Sequence, residues 1–144
     1  MEPPGTDIFR GARVLVVEDE YYLADDLVQT LRDAGAEPVG PFASVAQAEA
    51  SLKEGLVDAA ILDMNLRGEM AFDLAARICD DLPCVVVSGY TGEALPPSVM
   101  HLARLEKPVD PRAVIALLGE RLVQARGKGR PPPKLKPDFT SRFL

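Results

Sequence analysis

Three stretches of this chain are apolar on both faces, and they limit the fold more than any other feature. "RVLVVE" (Arg13–Glu18), "VDAAILD" (Val57–Asp63) and "CVVVS" (Cys84–Ser88) are short, mostly β-branched or aliphatic, and lack in–out alternation. A strand that is apolar throughout must be covered on both sides, which a parallel sheet between two helical layers achieves. The segments between the runs have the pattern such helices need. In "DEYYLADDLVQTLRDAG", Leu23, Leu27 and Leu31 recur every fourth residue with Ala24, Val28 and Ala34 beside them, and Gly35 is a natural stop. Ser44 and Gln47 form an S-x-x-Q capping box opening a second helix that ends near Gly55. "EMAFDLAARICDD" puts Ala71, Leu74, Ala75 and Ile78 on one face. Asp110 and Pro111 suit the N-cap and first position of a last helix with Val114, Leu117, Leu118 and Leu122 inward.

"AEPVG" and "LARLE" (Leu102–Glu106) read as weaker second and fifth strands. Five βα units in this order predict an α/β fold, a flavodoxin-like doubly wound five-stranded parallel sheet of order 2-1-3-4-5. The fourth helix is the exception. Gly89, Gly92, Pro96 and Pro97 lie between Ser88 and Lys107, and proline both removes a helix donor and disfavours helix before it. The reading there is a shortened helix or a loop, with at most a turn or two from about Pro97.

The 144 residues suffice for one domain with a real core. The expected division is an N-terminal extension over 1–10, a folded domain over 11–124, and a basic Pro-rich tail over 125–144, read as solvated, that ends in Phe139, Phe143 and Leu144. Residues 1–124 hold 21 acids against 10 Lys/Arg, while residues 125–144 hold 1 against 6. So acidic a domain repels nucleic acid. No apolar run approaches the ~20 residues of a membrane span, and "MEPPGTDIF" lacks the basic start and apolar stretch of a secretion signal. The expected location is the cytoplasm. Cys79 and Cys84 have no metal-like spacing and read as two reduced thiols. His101, the only histidine, reads as a loop or surface residue and leaves no basis for a histidine metal site.

The chemistry gathers at strand ends. The first strand ends in Glu18 and Asp19, and the third in Asp63. The predicted order makes these strands neighbours, so three carboxylates share one crevice. That arrangement is costly without a cation, and oxygen ligands favour a hard divalent ion such as Mg²⁺. Acidic helix caps would account for Asp19 and Glu20, but not for Asp63. The fourth strand ends on the Ser88 hydroxyl, and the fifth is followed by Lys107 and Pro108. Together these residues form a phosphoryl-transfer set. Asp63 can act as a nucleophile that becomes an acyl phosphate. Mg²⁺ and Lys107 can neutralise the phosphoryl oxygens, and Ser88 can follow the phosphate and report it.

On "VLVVEDE", "ILDMNLRG", "VVVSGY" and "LEKPVD" the chain resembles the receiver domains of bacterial two-component response regulators, over roughly residues 11–124. The resemblance implies that Asp63 is the phospho-acceptor, Lys107 the conserved lysine and Ser88 the switch hydroxyl. It implies a Mg²⁺ shell of Asp19, Asp63 and the Asn65 main-chain carbonyl, with Glu18 acting through water. The implied partners are a sensor histidine kinase and a downstream protein or phosphotransferase, with no direct nucleic acid and no membrane. The expected protein is a signalling domain, not a turnover enzyme, with no output domain after it. Many receivers carry an aromatic switch residue three before the lysine, where this chain has Arg104; here an aromatic, Tyr90, stands two after the serine. "PCVVVSGY" (Pro83–Tyr90) is similar to the P-F-x-F-A-T-G-Y motif of stand-alone receivers with a reduced fourth helix, departing from it at Cys84, Val86, Val87 and Ser88. Tyr90 is therefore the expected switch aromatic. Two alternatives share the sheet. An Asp-nucleophile phosphatase of the haloacid-dehalogenase type needs an acid two residues after Asp63, where Asn65 stands. An FMN-binding flavodoxin-like protein needs a hydroxyl- and Gly-rich loop after strand one, where "EDEYYLADD" stands.

Overall fold

The apolar runs become the centre of one sheet. The structure, a computed structural model, describes residues 7–89 and 95–127. Its elements are β1 (Arg13–Val17), α1 (Tyr21–Asp33), β2 (Glu37–Phe42), α2 (Val45–Glu54) and β3 (Ala59–Asp63). A hairpin of β4 (Asn65–Leu66) and β5 (Glu69–Met70) follows, then α3 (Phe72–Ile78), β6 (Cys84–Ser88), β7 (Ala103–Glu106) and α4 (Pro111–Gly127). The main sheet has order β2-β1-β3-β6-β7 and every pairing in it is parallel. With the hairpin set aside, this is the doubly wound 2-1-3-4-5 arrangement.

Alternate residues of each central strand feed two separate cores. Leu15, Val17, Ala60, Leu62 and Val86 pack with α2 and α3, through residues such as Leu52, Leu74 and Ile78. Val14, Val16, Ile61, Val85 and Val87 pack with α1 and α4, through Leu27, Leu31, Val114 and Leu118. Ile8 and Phe9, in a 3₁₀ turn ahead of β1, close the second core against α4. Gly119 admits that contact, since a Cβ there would lie 3.2 Å from the Phe9 ring.

The capping box forms: Gln47 N–H donates to Ser44 Oγ (3.2 Å), and Gln47 Oε1 accepts from Ala43 N–H, one residue earlier than the usual pattern (3.1 Å). Asp110 caps α4, with Arg112 N–H donating to its Oδ1 at 2.9 Å. The fourth helix is reduced to one 3₁₀ turn, Pro97–Val99, which buries Val99; residues 90–94 lie outside the described part. His101 is exposed as expected, its side chain 3.9 Å from Asp80.

Several expectations need correction. The second strand does not stop at Gly40 but runs on to Phe42, because a bulge shifts the register between Leu15 and Val17 and absorbs Gly40 and Pro41. Gly40 has φ +112°, and a Cβ there would sit 2.7 Å from the Val16 carbonyl oxygen, so only glycine fits. The third helix begins at Phe72, not Glu69, because Glu69 and Met70 pair with Leu66 and Asn65. The last helix continues to Gly127. The reading of two reduced thiols is also overturned. The turn after α3 brings the Cα atoms of Cys79 and Cys84 to 5.5 Å, within disulfide reach, and their sulfurs are bonded.

Candidate functional site

Sheet register sets the depth of each acid. Val17 pairs with Leu62, so Glu18 and Asp63 emerge side by side. Asp63 pairs with Val87, which brings Ser88 to the next level beside it. Ser88 pairs with Glu106, and the Ser88 carbonyl accepts the Lys107 N–H at 2.8 Å. Four strand ends thus deliver Glu18, Asp63, Ser88 and Lys107 to one crevice. The bulge in β2 contributes as well: Phe42, just beyond it, accepts the Glu18 N–H through its carbonyl at 2.9 Å.

The side chains converge as the strand ends require. Carboxylate oxygens of Glu18, Asp19 and Asp63 all lie within 4.8 Å of one another. Asp63 is 2% exposed; its Oδ1 accepts the Asn65 N–H (3.0 Å) and its Oδ2 accepts from Lys107 Nζ (2.9 Å). Lys107 also meets Glu18 Oε1 at 3.2 Å and Glu20 Oε2 at 3.3 Å. The peptide bond joining it to Pro108 is cis. Glu18 Oε2 accepts the Glu20 N–H at 2.9 Å.

Crowding leaves its mark on ionisation. Burial pushes the Glu18 carboxyl up to about 8, helped by its hydrogen bond to Asp63 and by the Asp63 charge, while the Glu20 N–H and Lys107 act against the shift. Burial also works against the Lys107 ammonium. The hydrogen bond to Asp63 and the Glu18 charge outweigh it, and the Lys107 pKa is raised. An all-oxygen donor set holding more negative charge than one lysine can neutralise suits a hard divalent cation.

The Asn65 side chain is committed to the hairpin, where its Oδ1 accepts the Gly68 N–H at 2.7 Å. As an amide it is not the second acid that a dehalogenase-type phosphatase needs two residues after its nucleophile. Over residues 14–118 the sequence matches the response regulator receiver domain family.

The chain belongs to that family.

Among solved structures, this receiver is similar to SdrG from Sphingomonas melonis Fr1, with 33% identity and a TM-score of 0.63 over 75% of this chain and 96% of SdrG. It is similar to the response regulator PhyR from Brucella abortus, with 25% identity and a TM-score of 0.68, over 85% of this chain but only 53% of PhyR. A CheY-like receiver domain protein from Methanospirillum hungatei JF-1 shares the fold, with 24% identity and a TM-score of 0.70 over 83% of this chain and 99% of that one. No curated protein sequence matches it.

Two residues of this receiver's crevice escape sequence reasoning. Glu20, read as a helix-dipole acid, is the residue before α1 and reaches Lys107. Arg67, in the hairpin turn, places its Nε 3.2 Å from Asp19 Oδ2. The only available signal for Arg67 was "NLRG", a turn-like tetrapeptide directly after the strand carrying Asp63. Arg104 is exposed on β7. Tyr90, the expected switch aromatic, lies outside the described residues. Among the described residues no helix is long and apolar enough to cross a membrane.

Proposed function

We propose that this receiver accepts a phosphoryl group on Asp63 from the phosphohistidine of a sensor histidine kinase and signals by protein–protein contacts. The observation that carries this reading is the buried Asp63 carboxylate, held by Lys107 at 2.9 Å inside the acidic cluster. A carboxylate fixed by an ammonium and a main-chain N–H is oriented for attack. An Asp63 oxygen attacks phosphorus, the P–N bond breaks, and its electron pair returns to the donor imidazole. Lys107 lies where it can neutralise charge on the transferred oxygens. Ser88, buried at the end of β6, is read as the hydroxyl that binds one of them.

Mg²⁺ fits the oxygen set. Asp19, Asp63 and the Asn65 main-chain carbonyl would hold it, with Glu18 acting through water. When bound, it supplies positive charge for the phosphoryl oxygens. The proposed receiver unit spans 11–124, with 1–10 as an extension and 125–144 as a tail whose first residues continue α4. The chain is read as a cytoplasmic adaptor, phosphate sink or relay shuttle, not a turnover enzyme, with a downstream protein or phosphotransferase as its second partner. Its place among stand-alone receivers of the P-F-x-F-A-T-G-Y type is supported by the single turn at Pro97–Val99 in place of a fourth helix.

Phosphotransfer from labelled histidine kinases tests the reading. Wild-type protein should take up label with Mg²⁺ present, and Asp63→Asn, nearly isosteric but not nucleophilic, should take up none. Label on the variant at the wild-type level would refute Asp63 as acceptor.

A further inference from the structure

The crevice distributes its cations unevenly, and the uneven part lies in the hairpin. Lys107 contacts Glu18, Glu20 and Asp63, whereas Asp19 is held by Arg67. Arg67 and Gly68 form the two-residue turn between β4 and β5, with φ of +54° and +93°. Positive φ at both positions is type I′ geometry, where Asn, Asp and Gly are the favoured residues. Arg67 is the only non-glycine residue with positive φ among the described residues. An arginine held at this unfavourable backbone position, its guanidinium on a site carboxylate, is an outlier that calls for a functional reason.

We propose that Arg67 is the counter-ion of Asp19 when no metal is bound, that it competes with the divalent cation for this carboxylate, and that cation binding displaces it. This role rests on the receiver reading, in which Asp19 is a Mg²⁺ ligand. The Asp19 side chain is 11% exposed and that of Arg67 81%. The arginine can therefore leave into water at little cost, while the carboxylate stays in place. A dication in the cluster would bind the same acid and repel the guanidinium. Lys107 is set apart from this exchange, because its contacts run to Asp63 and the two glutamates and its side chain is only 19% exposed. Arg67 thus tunes how much cation the receiver holds before any phosphoryl group arrives.

The test is a Mg²⁺ titration of the full chain followed by NMR, comparing wild type with Arg67→Asn. Asparagine suits the left-handed turn, so the hairpin keeps its shape; unchanged amide positions outside residues 18–20 and 63–70 verify this. An exposed ion pair is weak, so the variant should bind Mg²⁺ about two- to fivefold tighter at low ionic strength. The gain should shrink with added salt. In wild type, the Arg67 Nε–H resonance should move along the same saturation curve as the amides of residues 18–20. Equal or weaker Mg²⁺ binding by Arg67→Asn, or an Arg67 resonance indifferent to Mg²⁺, would overturn the role. Absence of any Mg²⁺ response at residues 18–20 and 63–66 in both proteins would be a different failure, removing the metal site itself and this role with it.

Discussion

Glu18→Gln should stabilise the metal-free protein in alkaline solution and leave it unchanged in acid. The Glu18 carboxyl is 3% exposed. Burial, then the hydrogen bond to Asp63, raise its pKa from 4.5 to about 8. A raised pKa means the folded state keeps a proton that the unfolded chain has already lost. The favourable contribution is complete below pH 4.5 and is lost as pH rises through about 8. At about 1.36 kcal/mol per unit, the gap between those values sets a ceiling of roughly 5 kcal/mol. Water at the crevice mouth screens the buried charge and reduces this. We expect about 2 kcal/mol at pH 9. Glutamine mimics the protonated acid and does not titrate. Urea melts in EDTA, followed by circular dichroism from pH 5 to pH 9, should show the variant gaining on wild type as pH rises, by several degrees in the matching thermal melts. Mg²⁺ should narrow the difference by compensating the Glu18 charge. Parallel stability curves, or a variant less stable than wild type at pH 9, would refute the argument that buried charge crowding governs this crevice.

Further outcomes follow from other parts of the molecule. Gly40→Ala forces a Cβ within 2.7 Å of the Val16 carbonyl at φ +112°; it should cost about 2 kcal/mol or more in chemical denaturation and weaken Mg²⁺ binding, because the bulge sets the Phe42 carbonyl that holds Glu18. Removing residues 128–144 should leave the melting temperature unchanged, since the last buried side chain of α4 is Leu122; a fall of several degrees would show that the tail packs on the domain. Tyr90→Ala should speed loss of the acyl phosphate in a dephosphorylation time course, whereas Arg104→Ala, on an exposed face of β7, should not; a larger effect from Arg104→Ala would refute Tyr90 as the switch aromatic.

What the sequence reveals depends on how local the physics is. Both-face burial of β1, β3 and β6 is written in consecutive residues, and the buried faces of α1 and α3 are written in their spacing. The strand order then followed from five alternating βα units in one small domain, and it was enough to bring the strand ends carrying Glu18, Asp19, Asp63, Ser88 and Lys107 to one edge. Features that depend on contacts between distant residues were not legible. The two-residue strands β4 and β5 are shorter than any periodicity. The Arg67–Asp19 pair joins residues 48 positions apart through a long flexible side chain. Ile8 and Phe9 pack on α4 from a segment whose acidic, proline-rich surroundings suggest only an extension. The Gly40–Pro41 bulge looked like the end of a strand because glycine and proline usually are one.

The most direct test of the account is to locate the phosphoryl group chemically. After phosphotransfer with Mg²⁺, borohydride reduction converts an aspartyl phosphate into homoserine, which peptide mass spectrometry can place in the chain. Homoserine is expected at position 63, absent without donor and absent or reduced in Lys107→Ala. Homoserine at another aspartate, or phosphate recovered on Ser88 with position 63 unmodified, would contradict it.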